Sequence, residues 1–338
     1  MTTDHEHDTP KHARPAGFHV PGNAWYAMLE SRRLGRKPVT VERLGRRFVL
    51  FRDGSGQAAA SDPRCPHRGA DLGLGRVVDG CLECPYHGFR FAADGACTLV
   101  PCDGLARPIR PDMRVQTFPV REHRGIIWLF WGAARAQLPP IPWFEELPPD
   151  ERHSHTRVAV WKAAFPRVME GNLDIHHFPF LHRRAAWGVG TLLDPYTATL
   201  AGDVIRTHGV LREDDGKPYS GRGGLALALS VHFPGLLLAT FGGERLKVMA
   251  AMTPIDGART LLVTRYYVEV PVVGRLLAWL SALMEGQFVL SDDERMLASS
   301  EPQSSDRHTN KLVRADAGIG LWHKCYERSR RADTSAAE

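Results

Sequence analysis

The chain is poor in the features that would place it in a membrane or outside a cell. No uninterrupted apolar run reaches the roughly 20 residues of a spanning helix. The nearest, Val270 to Leu290, is broken by Arg275 and Glu285 and reads as an amphipathic helix. Residues 1–17 mix Asp4, Glu6, Asp8 and Lys11 with polar neighbours and hold no apolar core. They are expected to form a disordered tail, not a signal peptide. Metal capture by His5, His7, His12 and His19 would be adventitious. Only six cysteines occur in 338 residues, too few for a disulfide framework. That points to a reducing compartment, and the cytoplasm is the expected location. The net charge of +5 is spread without a long basic run, so neither nucleic acid nor membrane is an expected partner. Gly54-x-Gly56-x-x-Ala59 is a loose dinucleotide fingerprint, but Asp62-Pro63 follows it where a helix should start, so it is rejected.

What the chain does have is concentrated between Cys65 and His87. Two boxes mirror each other, Cys65-Pro66-His67-Arg68-Gly69-Ala70 and Cys84-Pro85-Tyr86-His87-Gly88, with sixteen residues between His67 and Cys84. Thiolates and imidazoles suit either zinc or a [2Fe–2S] cluster. A zinc finger pairs Cys with Cys and His with His. Here each box pairs one Cys with one His, as a Rieske centre requires, where one iron takes both thiolates and the other both imidazoles. Pro66 and Pro85 stiffen the loops, and Gly69 and Gly88 permit tight turns. Cys81-x-x-Cys84 could also be a zinc or redox pair, but Cys84 is already used and Cys81 reads as a small packed residue. Arg68, Arg76 and Arg90 surround the boxes. They either attract an acidic electron donor or simply solubilise the surface.

This stretch resembles the Rieske domain of Rieske non-haem iron oxygenases. The respiratory Rieske proteins carry a further Cys in each box. Those positions here are Ala70 and Tyr86, so the likeness is to the oxygenase and ferredoxin branch.

Residues 24–135 read as short strands, including a hairpin of Pro38–Val41 and Arg47–Phe51 turning at Gly45. Leu138 to Pro149 is proline-rich and reads as an extended linker. Beyond it, Thr156–Lys162, Tyr196–Leu211, Leu225–Phe233, Leu236–Phe241, Leu246–Thr253 and Thr260–Val270 read as strands with short turns, which implies an antiparallel sheet. Phe165–Phe178 and Gly274–Ser299 read as helices, the latter with Leu276, Leu277, Leu280, Leu283 and Met284 on one face. The expected class is α+β. The expected divisions are a tail (1–22), an all-β Rieske domain (23–137), a linker (138–152), an antiparallel sheet with helices (153–325) and a second tail (326–338). By resemblance the last domain is helix-grip-like and catalytic.

A second metal site is expected in Glu170–His182. Asp174 and His177 are three apart and share a face if helical. Pro179 then breaks the helix, so His182 can turn back toward His177. Two His and a carboxylate on one face of iron leave positions open for O₂. Asp174-x-x-His177-x-x-x-x-His182 resembles the mononuclear-iron motif of the same oxygenases. The resemblance makes His177 and His182 ligands, and makes Asp174 a bridge to a Rieske His of the neighbouring subunit. It places the third ligand at Asp293, with Asp292 as the alternative about 100° around the helix. The Asn that the family carries three residues before the bridging Asp is Gly171 here, three before Asp174, so no Asn role is carried over. Phe178, Phe180, Leu181, Trp187, Phe233 and His232 are candidates to line a substrate cavity, or else plain core.

The resemblance implies a terminal oxygenase with a [2Fe–2S] cluster and Fe²⁺. It would use O₂ to hydroxylate, dihydroxylate or oxidatively demethylate a small organic molecule, aromatic or polycyclic. The chain has no flavin or nicotinamide signature and no Cys-x-x-x-x-Cys-x-x-Cys run, so electrons must come from a separate NAD(P)H-dependent reductase, directly or through a ferredoxin. A homotrimer is implied, each Rieske centre serving the next subunit's iron. The competing readings are an electron carrier with a structural C-terminal half and a zinc-binding interaction module.

Overall fold

The computed structural model describes residues 18–335 except 134, 185, 243–245, 271, 306 and 307. Turn residues arrive every few positions in the first half, so its strands are short. They are β1 (Ala24–Glu30), β2 (Val39–Arg43), β3 (Arg46–Arg52), β4 (Ala58–Ser61), β5 (Arg76–Val78), β6 (Cys81–Glu83), β7 (Arg90–Phe91), β8 (Cys97–Leu99), β9 (Thr117–Phe118), β10 (Val120–His123) and β11 (Ile126–Trp131). They make three antiparallel sheets, ordered β1-β11-β10, β2-β3-β4-β9 and β5-β6-β7-β8. Leu44-Gly45 and Asp79-Gly80 close the β2–β3 and β5–β6 hairpins with positive φ at both residues, the twist such hairpins need. At Gly80 a Cβ would lie 2.1 Å from the backbone N of Gly54, so the site tolerates no side chain.

The second half runs β12 (Ser154–Trp161), α1 (Phe165–Leu173), α2 (Phe178–Leu181), β13 (Leu192–Ala201), β14 (Val204–Arg212), β15 (Leu225–His232), β16 (Leu236–Phe241), β17 (Leu246–Pro254), β18 (Thr260–Val268), α3 (Gly274–Phe288), α4 (Leu290–Ser299) and α5 (Ala317–Ser335). Its strands form one antiparallel sheet ordered β12-β18-β17-β16-β15-β14-β13, so the α+β class is what folds. Both faces of its centre are covered. Along β17, Val248, Ala250 and Met252 join the core beneath α1 and α5, while Met249 and Ala251 face the first domain. That two-residue period explains why β17 and β18 read as near-continuous apolar runs.

The linker over residues 138–149 has no regular structure but is packed. Phe144 and Leu147 are buried with Trp25 and Phe130 of the first domain and Leu238 and Met249 of the sheet. The Trp25 indole donates to the Pro139 carbonyl at 3.1 Å.

Several sequence expectations are corrected. Tyr196–Leu211 is not one strand but the β13–β14 hairpin, turning at Gly202 with φ 60°. The helix expected over Gly274–Ser299 breaks at Val289, whose φ and ψ of −120° and −62° leave the helical region. The apolar face of α3 mostly faces outward. Ala278 and Ala282 are buried and join the core of the sheet, while Leu276, Leu280, Leu283 and Met284 are exposed. Small side chains allow the closer approach of helix to strand. The tail expected from 326 is instead the end of α5, where Tyr326 is buried and stacked on Trp322 at 4.8 Å. Within the tail expected over 1–22, Val20 is buried and the Tyr326 hydroxyl donates to the His19 carbonyl at 3.2 Å. Residues 1–17 lie outside the described residues.

Candidate metal centres

The two Cys–His boxes are the same turn built twice. In the first, Cys65 N–H donates to Ala70 O at 2.9 Å and Gly69 N–H to Cys65 O at 2.8 Å. In the second, Cys84 N–H donates to Phe89 O at 2.8 Å and Gly88 N–H to Cys84 O at 3.0 Å. Gly69 and Gly88 close them with φ 73° and 72°, which a side chain would disfavour. The turns bury both cysteines and leave His67 exposed and His87 partly exposed. The two imidazoles lie 4.8 Å apart, and Phe89 stacks on His67 at 4.7 Å. Burial pushes the Cys65 thiol up, with the neighbouring Cys84 adding to the shift. A bound cation would relieve that cost. Cys81 is elsewhere occupied, its sulfur accepting from the Thr98 hydroxyl at 3.6 Å. Arg76 and Arg90 are engaged too, both on Glu83, at 2.7 and 2.9 Å, and Arg90 also on Asp79. Arg68 stays at the tip, over the Tyr86 ring.

The second site forms where α1 ends. Asp174 leaves the helix with φ −74° and ψ 126°, and its carboxylate accepts from the backbone N–H of His176 at 2.8 Å and His177 at 3.2 Å. Asp174 and His177 are therefore joined by a turn and not by a shared helix face. Pro179 does not break a helix but opens α2, in the first turn where its missing N–H costs nothing. One turn later His182 ends α2, 2% exposed, with Nε2 3.2 Å from Nε2 of His177. Asp293 arrives from the first turn of α4, its Oδ1 3.0 Å from His182 Nε2 and 3.6 Å from His177 Nε2. The break at Val289 starts the turn that carries it. Asp292 points to Arg295 instead, at 3.1 Å.

Asp174 stands behind the cluster. Its Oδ2 is 3.5 Å from His177 Nδ1, the ring nitrogen turned away from His182. His176 Nδ1 approaches Asp174 within 2.9 Å without hydrogen-bond geometry and does not join the group. Burial opposes the charge on Asp174, but His176 and His177 outweigh it and hold the carboxyl far below its usual range. Burial also opposes the charge on His177, yet Asp174 and Asp293 raise it overall. Two ring nitrogens and a carboxylate oxygen thus converge within 4.8 Å, a donor set that could hold a metal ion.

Residues 24–119 match the sequence profile of the Rieske [2Fe-2S] domain. Over 160 residues the chain is 38% identical to the 3-chlorobenzoate-3,4-dioxygenase oxygenase subunit of Comamonas testosteroni, covering 47% of this chain and 37% of that protein. Over 182 residues it is 35% identical to 4beta-methylsterol monooxygenase of Methylococcus capsulatus, covering 52% and 48%. The matches thus span about half, or less, of these relatives. Among solved structures, dicamba monooxygenase bound to dicamba superposes with a TM-score of 0.75 at 20% identity, over 93% of this chain and 98% of that one. NdmA of Pseudomonas putida CBB5 with caffeine gives 0.70 at 22% identity, over 89% of both. The chain thus carries a Rieske [2Fe-2S] domain, and its overall fold is shared with these solved oxygenases.

The residues suit a [2Fe–2S] cluster and a mononuclear iron. Paired buried thiols with two solvent-facing imidazoles match the unequal needs of the two irons in a Rieske cluster. The His–His–carboxylate group has the composition of a mononuclear iron site.

That group opens on a cavity of about 670 Å³. Its walls are apolar side chains of the sheet, among them Leu227, Leu237, Val248 and Leu262, and its far side is α3 and α4. Of the six candidates for the lining, only Phe178 lies on it. Phe180 is 53% exposed and Trp187 90% exposed. Leu181 is not on the wall. His232 packs on Phe144 of the linker, 5.0 Å between rings. Phe233 packs on Trp322. Strand alternation along β15 decides the placement of His232, and the sequence does not say which face is which.

Sequence reading also missed a wall residue. Glu285 on α3 lines the cavity. Burial pushes its carboxyl up to about 7; contacts with Tyr266 and Arg157 work the other way, and Asp293 adds to the rise. Its signal was present, a lone carboxylate interrupting an apolar helix.

Proposed function

We propose that the chain is the terminal oxygenase of a multicomponent system. In this reading Cys65, His67, Cys84 and His87 hold the [2Fe–2S] cluster, and His177, His182 and Asp293 hold the mononuclear iron. When bound, these groups supply one-electron transfer and O₂ activation for hydroxylation, dihydroxylation or oxidative demethylation of a small organic molecule. The observation that carries the reading is the convergence of His177, His182 and Asp293 on an apolar cavity, in a chain that also has a Rieske domain. Asp174 keeps the Nδ1 side of His177 occupied, so that Nε2 faces the metal position. The apolar walls keep water from the substrate and hold it by shape.

The relatives act on molecules as different as a chlorobenzoate and a methylsterol, so the fold does not select one. Electrons come from a separate NAD(P)H-dependent reductase, directly or through a ferredoxin. The exposed tip of His67, Arg68 and Tyr86 is where either that donor or a neighbouring subunit would dock. A homotrimer fits the exposed apolar face of Leu276, Trp279, Leu280 and Leu283 on α3, since such faces mark interaction surfaces. The six cysteines are all free thiols, which fits a reducing compartment such as the cytoplasm.

Metal content tests the reading. His177→Ala should lower total iron by one atom per subunit and keep the red-brown colour of the cluster. Cys65→Ser should remove the colour. Unchanged iron in His177→Ala would leave the electron-carrier reading standing, and a colourless wild-type protein would favour zinc.

A further inference from the structure

The cavity's size and its one misplaced charge together say more about the substrate. A dry apolar cavity of about 150 Å³ holds a benzene ring. The cavity here, at about 670 Å³, is several times larger. A single-ring substrate would leave most of the wall uncovered, and unfilled apolar space forfeits contact energy. A fused multi-ring hydrocarbon covers more of it.

Apart from Asp174, His177, His182 and Asp293, the charged groups on the wall among the described residues are Arg184 and Glu285. Arg184 is exposed, at the mouth. Glu285 is inside, on α3, between Met284 and the turn that leads to Asp293. Beside it the Tyr266 hydroxyl is fully buried, and burial together with its interaction with Glu285 raises the tyrosine's own titration. Glu285 is thus a carboxyl set in a mostly apolar wall, and a polar group that a ligand covers without pairing is costly. A carboxylate-bearing ligand would meet repulsion there. A ligand hydroxyl both donates and accepts, so it can pair with the carboxyl in either protonation state.

We propose that Glu285 is a specificity-determining residue that anchors the hydroxyl of a fused multi-ring, otherwise hydrocarbon substrate in the cavity. The proposal rests on reading the cavity as the substrate site. Anchoring one end of a rigid molecule on α3 fixes which edge faces His177, His182 and Asp293. Orientation, and not mere occupancy, then decides which carbon is oxidised.

The test is calorimetric binding to the metal-loaded enzyme without reductant, so that no turnover is needed. The probes share one skeleton: phenanthrene, phenanthrol and phenanthrene carboxylate. Wild-type protein should bind phenanthrol about tenfold tighter than phenanthrene, the scale of one hydrogen bond to a charged group. Glu285→Leu should erase that preference while still binding phenanthrene. Glu285→Gln, which keeps an acceptor, should retain most of it. Equal binding of phenanthrol and phenanthrene by wild-type protein overturns the proposal whether or not the variants fold. So does tightest binding of the carboxylate, abolished by Arg184→Ala. An intact phenanthrol preference in a protein that never oxidises any probe would strike the oxygenase reading alone.

Discussion

Asp174 sits behind His177, not in front of it, and that placement changes what its loss should do. Its carboxylate faces Nδ1 and ties down the backbone N–H groups of residues 176 and 177. It therefore acts on the ring's orientation. Partners of this kind are worth about 10–100-fold in metal affinity. Asp174→Asn should weaken iron retention against a chelator by about that factor, with the cluster's visible absorption unchanged. Equal retention in both proteins would mean that Asp174 serves only the path between centres. The choice between Asp292 and Asp293 was legible in the sequence only through resemblance to a family pattern. Both are acidic neighbours on one helix, and only the start of that helix at Leu290 determines which faces the histidines.

α1 shows why an element can be legible while its role is not. Its apolar spacing and Pro166 mark a helix, but the same turns carry Arg167 and Glu170, which are both buried. Glu170 accepts from His323 of α5 at 2.6 Å, from Asn310 at 2.9 Å, from Ser305, and from Arg167 at 2.7 Å. Arg167 in turn donates to the Pro302 carbonyl at 2.9 Å. The network fastens α1 to α5 and to the loop that follows α4, so it helps hold together the two helices that deliver Asp174 and Asp293. Burial opposes ionisation of Glu170, but hydrogen bonds from His323 and Ser305 and the Arg167 charge outweigh it and hold the carboxyl below its usual range. A depressed folded value contributes stability that is present above the ordinary carboxylate range and lost as pH falls through the folded value. Glu170→Gln should cost about 3–5 kcal/mol at neutral pH, the scale for breaking a buried pair. The gap to wild type should narrow in acid, as followed by melting temperature. A gap that widens in acid would contradict the sign. No local pattern discloses this network, because its partners are up to 153 residues apart in the chain.

At the scale of the whole molecule, the Rieske tip and the His–His–Asp group sit on separate structural units joined by a packed linker. Phe144 and Leu147 of that linker are buried against both units, which fixes their mutual orientation. His67 faces solvent at the tip of the first unit. If the route runs between subunits, co-assembling Cys84→Ser with His177→Ala chains should recover product, though each alone is inactive. Mixed assemblies would then contain a working cluster facing a working iron site. No recovery, in assemblies shown by mass spectrometry to be mixed, would place the route within one chain.

The sequence by itself determined the paired Cys–His donor set of the two boxes, because its four residues lie within short loops where spacing dictates geometry. It likewise determined the antiparallel, strand-by-strand build of the second half, since turn residues and strand periods are local properties. Tertiary structure decided the rest. It selected Asp293 through the break at Val289, turned His232 away through strand alternation, and faced α3's larger apolar side chains outward so that Ala278 and Ala282 could approach the sheet. It also brought Glu285 into the cavity. Each of these depends on which face of an element is covered, and that is a property of the packed chain and not of any segment within it.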